Sequence, residues 1–189
     1  HTAIFNAVFV ELGKLNYENY LIEGTFSKFS IKHSNRSFSS DITTTQLDWF
    51  NRIFWRLPYH ANLGFRMNLG WTNTENIQYL YYIGGFQNIR GYFDGQFRSK
   101  TYWQMNAEYR IPSYRSHWLV LQHIFFIDVV GVGDKIADLK QNNQRYASAG
   151  IGLRIISPRI YSFNGRIDIA PFTSGKSPSQ ISFGAQQFF

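Results

Sequence analysis

"ANLGFRMNLGW", residues 61–71, decides the fold. Ala61, Leu63, Phe65, Met67, Leu69 and Trp71 alternate with Asn62, Gly64, Arg66, Asn68 and Gly70. Successive side chains of a β-strand point to opposite faces, so the run predicts a strand with one apolar and one polar face. The same period of two spreads outward from it. Residues 102–111 set Trp103, Met105, Ala107, Tyr109 and Ile111 against Gln104, Asn106, Glu108 and Arg110. Residues 145–155 set Ala147, Ala149, Ile151, Leu153 and Ile155 against Ser148, Gly150, Gly152 and Arg154, and residues 161–169 set Ile167 and Ile169 against Arg166 and Asp168. Residues 45–57 follow suit, with Phe50 and Phe54 among the polar set.

Strands are expected at about 20–33, 44–57, 60–72, 100–112, 118–131, 145–157, 160–171 and 180–189, which makes eight. Residues 3–14 could make a ninth, but they alternate poorly, and the even counts of bacterial barrels favour eight, with 3–14 merging into the first hairpin. Pro58, Pro112-Ser113, Ser157-Pro158 and Ser174-Gly175-Lys176 punctuate the joints. Strands of ten residues or more exceed the usual five or six of soluble sheets. A soluble sandwich or lipocalin-like barrel would bury the apolar face and wet the polar one. A membrane barrel inverts this, with an aromatic girdle at each interface. The recurring Arg, Asp, Glu, Asn and Gln on one face, with Trp, Tyr and Phe near the ends of the other, favour the membrane barrel. Tilted strands of that length match a bilayer, and closure removes unpaired edges from lipid. The fold class is therefore all-β, a transmembrane antiparallel β-barrel of about eight strands forming a single domain over 1–189.

Composition agrees. The chain has 189 residues with 12 Tyr, 18 Phe and 5 Trp, and no Cys to make a disulfide, a thiol nucleophile or a cysteine metal site. Its formal net charge is +7, but Lys and Arg are scattered rather than gathered on one stretch, which argues against nucleic acid. The five histidines (His1, His33, His60, His117, His123) show no metal-ligand spacing, so neither metal nor cofactor is expected. Ser116, His117 and Asp134 are the components from which a rim-sited hydrolase could be assembled. That reading is held in reserve, and the chain is expected not to be an enzyme.

One connection is long. Residues 73–99 hold "GGFQNIRGYFDGQF" (84–97), rich in glycine and aromatic residues. Long loops without their own periodicity are usually functional or disordered, and this composition is poor for disorder. Folded back into a lumen, Arg90 would leave bulk water and require acid partners.

"GGFQNIRGY" resembles the signature sixth loop of the BamA/TamA/FhaC superfamily of outer-membrane assembly and translocation barrels. "MNAEYRIP" (105–112), "FFIDVVGVGD" (125–134), "SAGIGLRIISP" (148–158), "FNGRIDIAPF" (163–172) and "ISFGAQQFF" (181–189) resemble the family's closing strands in order. The resemblance covers about 115 residues well and the first 70 loosely. It implies that Arg90, with Gly91 and Tyr92, forms a loop latch whose arginine meets Glu108 and Asp128 on the inner wall. Glu108 also falls on the polar face by parity, and a guanidinium can bond two carboxylates at once. Phe183, Phe188 and Phe189 would belong to a C-terminal β-signal. By their own parity Arg166 and Asp168 share the lumen face and are expected to pair with neighbouring strands in an ion network.

The family's barrels have sixteen strands and carry periplasmic POTRA domains. This chain reads as the C-terminal half, without a POTRA domain in 1–189. The resemblance implies a component or accessory of outer-membrane protein insertion, assembly or translocation machinery in the bacterial outer membrane. Its partners would be outer-membrane lipid and other assembly subunits or a second copy. A weak seam between 20–33 and 180–189 is expected. The alternative function is a small self-contained barrel that anchors or scaffolds partner proteins.

Overall fold

The computed structural model describes residues 4–38, 40–157, 159, 164–175 and 180–185. Among these described residues nine strands form one antiparallel sheet in chain order. They are β1 (Asn6–Glu18), β2 (Leu21–Ser34), β3 (Thr44–Leu57), β4 (Ala61–Thr72), β7 (Thr101–Arg115), β8 (Val120–Gly133), β9 (Arg145–Ile156), β10 (Asn164–Thr173) and β11 (Gln180–Gly184). Between β4 and β7, the short strands β5 (Tyr81–Ile83) and β6 (Phe97–Ser99) make a separate hairpin. Among the described residues no helix is long and apolar enough to cross a membrane.

The count is nine rather than eight because residues 6–18 form a full strand. Their own alternation is weak, since Val8, Val10 and Leu12 share one face while Phe9, Leu15 and Tyr17 occupy the other. Pairing supplies what the pattern lacks: β1 ladders against β2 without interruption from Asn6↔His33 to Glu18↔Leu21. β2 is therefore an interior strand, and the expected seam between residues 20–33 and 180–189 does not exist. The sheet's two edges are β1 and β11, which are not paired with each other among the described residues.

The faces are inverted relative to a soluble sheet. On β4, Asn62, Arg66 and Asn68 are buried while Leu63, Phe65 and Leu69 are only half-buried. On β8, Gln122 and Asp128 are 1% and 0% exposed, whereas Phe125 and Ile127 are 52% and 58% exposed. Register sets Phe125 beside Ile151, Ile151 beside Ile169, and Ile169 beside Ile181. This continuous apolar stripe across four strands would be a liability in water and is what lipid requires.

The turns sort by length. Those at 19–20, 58–60 and 116–119 lie at one end, and the longer connections at 73–100 and 134–144 lie at the other. Membrane barrels keep short turns on the periplasmic side and long loops outside.

Candidate functional site

The long connection does not stand away from the sheet. The β5–β6 hairpin carries residues 84–96 back against the polar, concave face. Gly84, Gly85 and Gly91 take φ of 135°, 75° and 85°, a region open to glycine and costly for other residues. At Gly91 a side chain is also barred by space, since a Cβ would lie 2.8 Å from Thr173 Cγ2 and 2.9 Å from Ala170 Cβ.

This path delivers Arg90 to the wall with no exposed surface. Its Nε and Nη2 donate to Asp128 Oδ2 and Oδ1, both at 2.8 Å, and its backbone N–H donates to Asp128 Oδ2 at 3.1 Å. Nη1 donates to Glu108 Oε1 at 2.6 Å and lies 3.7 Å from Asp168 Oδ2. The guanidinium carbon sits 3.5 Å from the centre of the Phe126 ring, a cation–π contact away from water. Burial alone would lower the Arg90 pKa. The charges of Asp128 and Glu108 outweigh it and raise the pKa, so the side chain stays charged.

The acids are shared. Glu108 Oε2 accepts from Arg110 Nε at 2.9 Å, and its Oε1 also accepts from Arg154 Nη2 at 3.2 Å. Arg154 Nη1 donates to Asp168 Oδ1 at 2.6 Å, and Arg166 Nη2 lies 2.9 Å from Asp168 Oδ2. Strands β7, β8, β9 and β10 thus each contribute to one ion network with the loop arginine at its centre. Buried ion pairs repay their desolvation only when their geometry is good and further hydrogen bonds engage the charged groups.

The neighbouring loop carbonyls are also held by the wall, as buried backbone oxygens must be. Asn88 O accepts from Gln104 Nε2 at 2.6 Å and Asn106 Nδ2 at 2.8 Å, and Gln87 O accepts from Arg66 Nη2 at 2.8 Å. Phe86 O accepts from Arg166 Nη2 at 3.0 Å, and the Phe86 ring lies 3.4 Å from that guanidinium. Tyr92 donates its hydroxyl to Ser174 O at 2.7 Å and lies 3.0 Å from Ala147 O, while its ring packs on Phe97 and Tyr146.

Of the residues singled out in the sequence, Arg90, Gly91, Tyr92, Glu108 and Asp128 therefore sit together, and Arg166 and Asp168 lie in the same network. Phe183 is elsewhere, 72% exposed on β11, and Phe188 and Phe189 lie outside the described residues. Ser116 and His117 precede β8 and Asp134 follows it. The 14 residues of that strand hold them at opposite ends of the sheet, roughly 40 Å apart at ~3.4 Å per residue. They cannot form one hydrolytic site. Ser116 Oγ instead accepts from Leu119 N at 3.1 Å within the turn. Among the described residues no group of three or more His, Cys, Asp or Glu could hold a metal. Arg110, Arg154, Gln104 and Asn106 were not singled out. All lie on the polar parity of their strands, a signal that marks a lumen wall without saying which members meet.

A curved antiparallel sheet, apolar outside and charged within, holding a glycine-rich loop on its concave side, defines the class: a membrane β-barrel unit with an inward-folded loop. The chain belongs to the Omp85 superfamily, whose domain matches residues 20–189. That is a family of outer-membrane barrels for assembly and translocation. Its fold is similar to the crystal structure of BamA from Haemophilus ducreyi lacking POTRA domains 1–3, with a TM-score of 0.68 and 17% identity. The likeness covers 93% of this chain and 41% of that one, so this chain spans well under half the length of that protein. No curated protein matches it.

Proposed function

We propose that this chain is a barrel component of machinery that inserts proteins into the bacterial outer membrane or moves them across it, and that Arg90 latches the 73–99 loop inside the barrel. The observation that carries the reading is the arginine itself. A loop that only needed to be short or soluble has no use for a fully buried guanidinium bonded to acids on two strands. A latch of charged groups holds firmly yet can exchange partners, which suits a wall that must yield when a client passes. The edges β1 and β11, unpaired among the described residues, leave two places where further strands, another assembly subunit or a second copy can add by backbone pairing.

The test is reconstitution of the chain in liposomes with an unfolded barrel client. Client folding is expected to accelerate over protein-free liposomes, and Arg90→Ala is expected to lower that acceleration by more than the loss of folded protein accounts for. Client folding at the protein-free rate beside a fully folded chain would leave the anchoring and scaffolding role in its place.

A further inference from the structure

The short-turn end of the sheet carries a second charged site with no part in the latch. The β1–β2 hairpin tip crosses this end, so that Tyr20 packs on Val120 and Ile156 and its hydroxyl accepts from Arg115 Nη1 at 3.3 Å. Below it opens a cavity lined by Glu18, His60, Arg115, His117 and Arg159. The acid in this lining is already engaged, since Glu18 pairs with Arg56. Arg115 meets the neutral Tyr20 hydroxyl, and Arg159 stacks on the Trp118 ring with its guanidinium carbon 3.9 Å from the centroid. Two arginines and two imidazoles thus face one opening where the local acid is spent on a third arginine.

The rim adds an independent observation. Tyr59 and His60 both adopt left-handed backbone, with φ of 60° and 59°. Hairpin turns of that hand normally use Asn-Gly, and consecutive non-glycine residues there store strain, a frequent mark of a functional turn. The strained turn sets His60 on the cavity wall and leaves the Tyr59 ring 93% exposed, while Trp118 on the adjacent turn is 64% exposed. Amphipathic rings exposed at strand ends sit at the headgroup level of a bilayer.

We propose that this cavity binds the phosphate of an anionic phospholipid headgroup from the periplasmic leaflet. Arg115 and Arg159 would bond the phosphate oxygens, His60 and His117 would complete the wall, and Tyr59 and Trp118 would seat the glycerol and upper acyl region. Arginine forks match phosphate geometry, and a headgroup alone among phosphate sources explains the exposed rings. The proposal rests on the membrane-spanning reading and not on the client-insertion role.

The experiment is native mass spectrometry of the whole chain released from micelles doped with equimolar phosphatidylglycerol and phosphatidylcholine. Heat-modifiable migration reports the folded barrel separately, so loss of the membrane fold and loss of the lipid site read out differently. Several-fold preferential retention of phosphatidylglycerol is expected. It should fall to parity in Arg115→Gln/Arg159→Gln, and persist in Lys140→Gln/Arg145→Gln, which removes the same charge from exposed residues at the opposite end. Equal retention of both lipids, or the same decline in both double variants, would overturn the site. Displacement of the lipid by millimolar inorganic phosphate or by an acidic peptide, at no cost to either, would overturn the lipid as occupant.

Discussion

Asp128 Oδ2 accepts two hydrogen bonds from one residue, from the backbone N–H of Arg90 at 3.1 Å and from its Nε at 2.8 Å. The carboxylate therefore fixes the loop's main chain as well as its side chain. Its other named partner is Asn106 Nδ2 at 2.8 Å on Oδ1. Glu108, by contrast, is also bonded to Arg110 and Arg154. Removing Arg90 strands Asp128 far more than Glu108.

Arg90→Ala is expected to destabilise the folded barrel by roughly 3–5 kcal/mol, the range for breaking a buried ion pair from one side. Adding Asp128→Asn should recover part of that loss, because the stranded charge is gone, while adding Glu108→Gln should recover none, because two arginines then lose their acid. Thermal unfolding of the four proteins in detergent checks the order. Equal recovery by both second substitutions would place the charge cost elsewhere.

Tyr92→Phe removes one hydroxyl that donates to Ser174 O at 2.7 Å and leaves the ring in its aromatic cluster. The expected cost is about 1 kcal/mol. Protease sensitivity should rise within residues 84–97 with little change in overall unfolding temperature.

Gly152→Ala and Gly165→Ala form a matched pair. A Cβ at Gly152 would lie 2.1 Å from Asp168 Oδ1, the oxygen that holds Arg154, whereas one at Gly165 meets nothing closer than 3.7 Å. Circular dichroism melts should show a clear loss for the first and little change for the second.

Ile151→Arg tests the inverted faces. Ile151 is 53% exposed on the outer stripe, and an arginine on the lipid face near the midplane costs roughly 2–4 kcal/mol. Denaturant titration in liposomes measures it. A neutral result would mean that the stripe faces water.

Much of this was legible in the residues, for reasons that differ by element. β4, β7 and β9 announce themselves because one face meets lipid and the other a charged lumen, which forces close alternation on runs such as 61–71. β1 does not, because Val8, Val10 and Leu12 on one face and Phe9, Leu15 and Tyr17 on the other leave no contrast, and its strand state comes from its ladder with β2. The hairpin β5–β6 was hidden inside the long connection, being three residues per strand. Parity placed Glu108 on the wall, and the family resemblance named Arg90 and Asp128 beside it. Parity gives a face and no neighbour, so it could not say that Arg154 bridges Glu108 to Asp168. That depends on the stagger of β7, β8, β9 and β10, which sets Arg154 beside Gln122 on one side and Arg166 on the other.

The most direct test of the latch is amide hydrogen exchange across residues 84–97 in the membrane-inserted chain, compared with Arg90→Ala. The account predicts slow exchange at Ile89, Arg90 and Gly91 in the unaltered protein and exchange at the rate of an open loop in the variant, with the strands β7 and β8 still protected. Equal protection in both would show that the loop is held without Arg90, and would contradict the account.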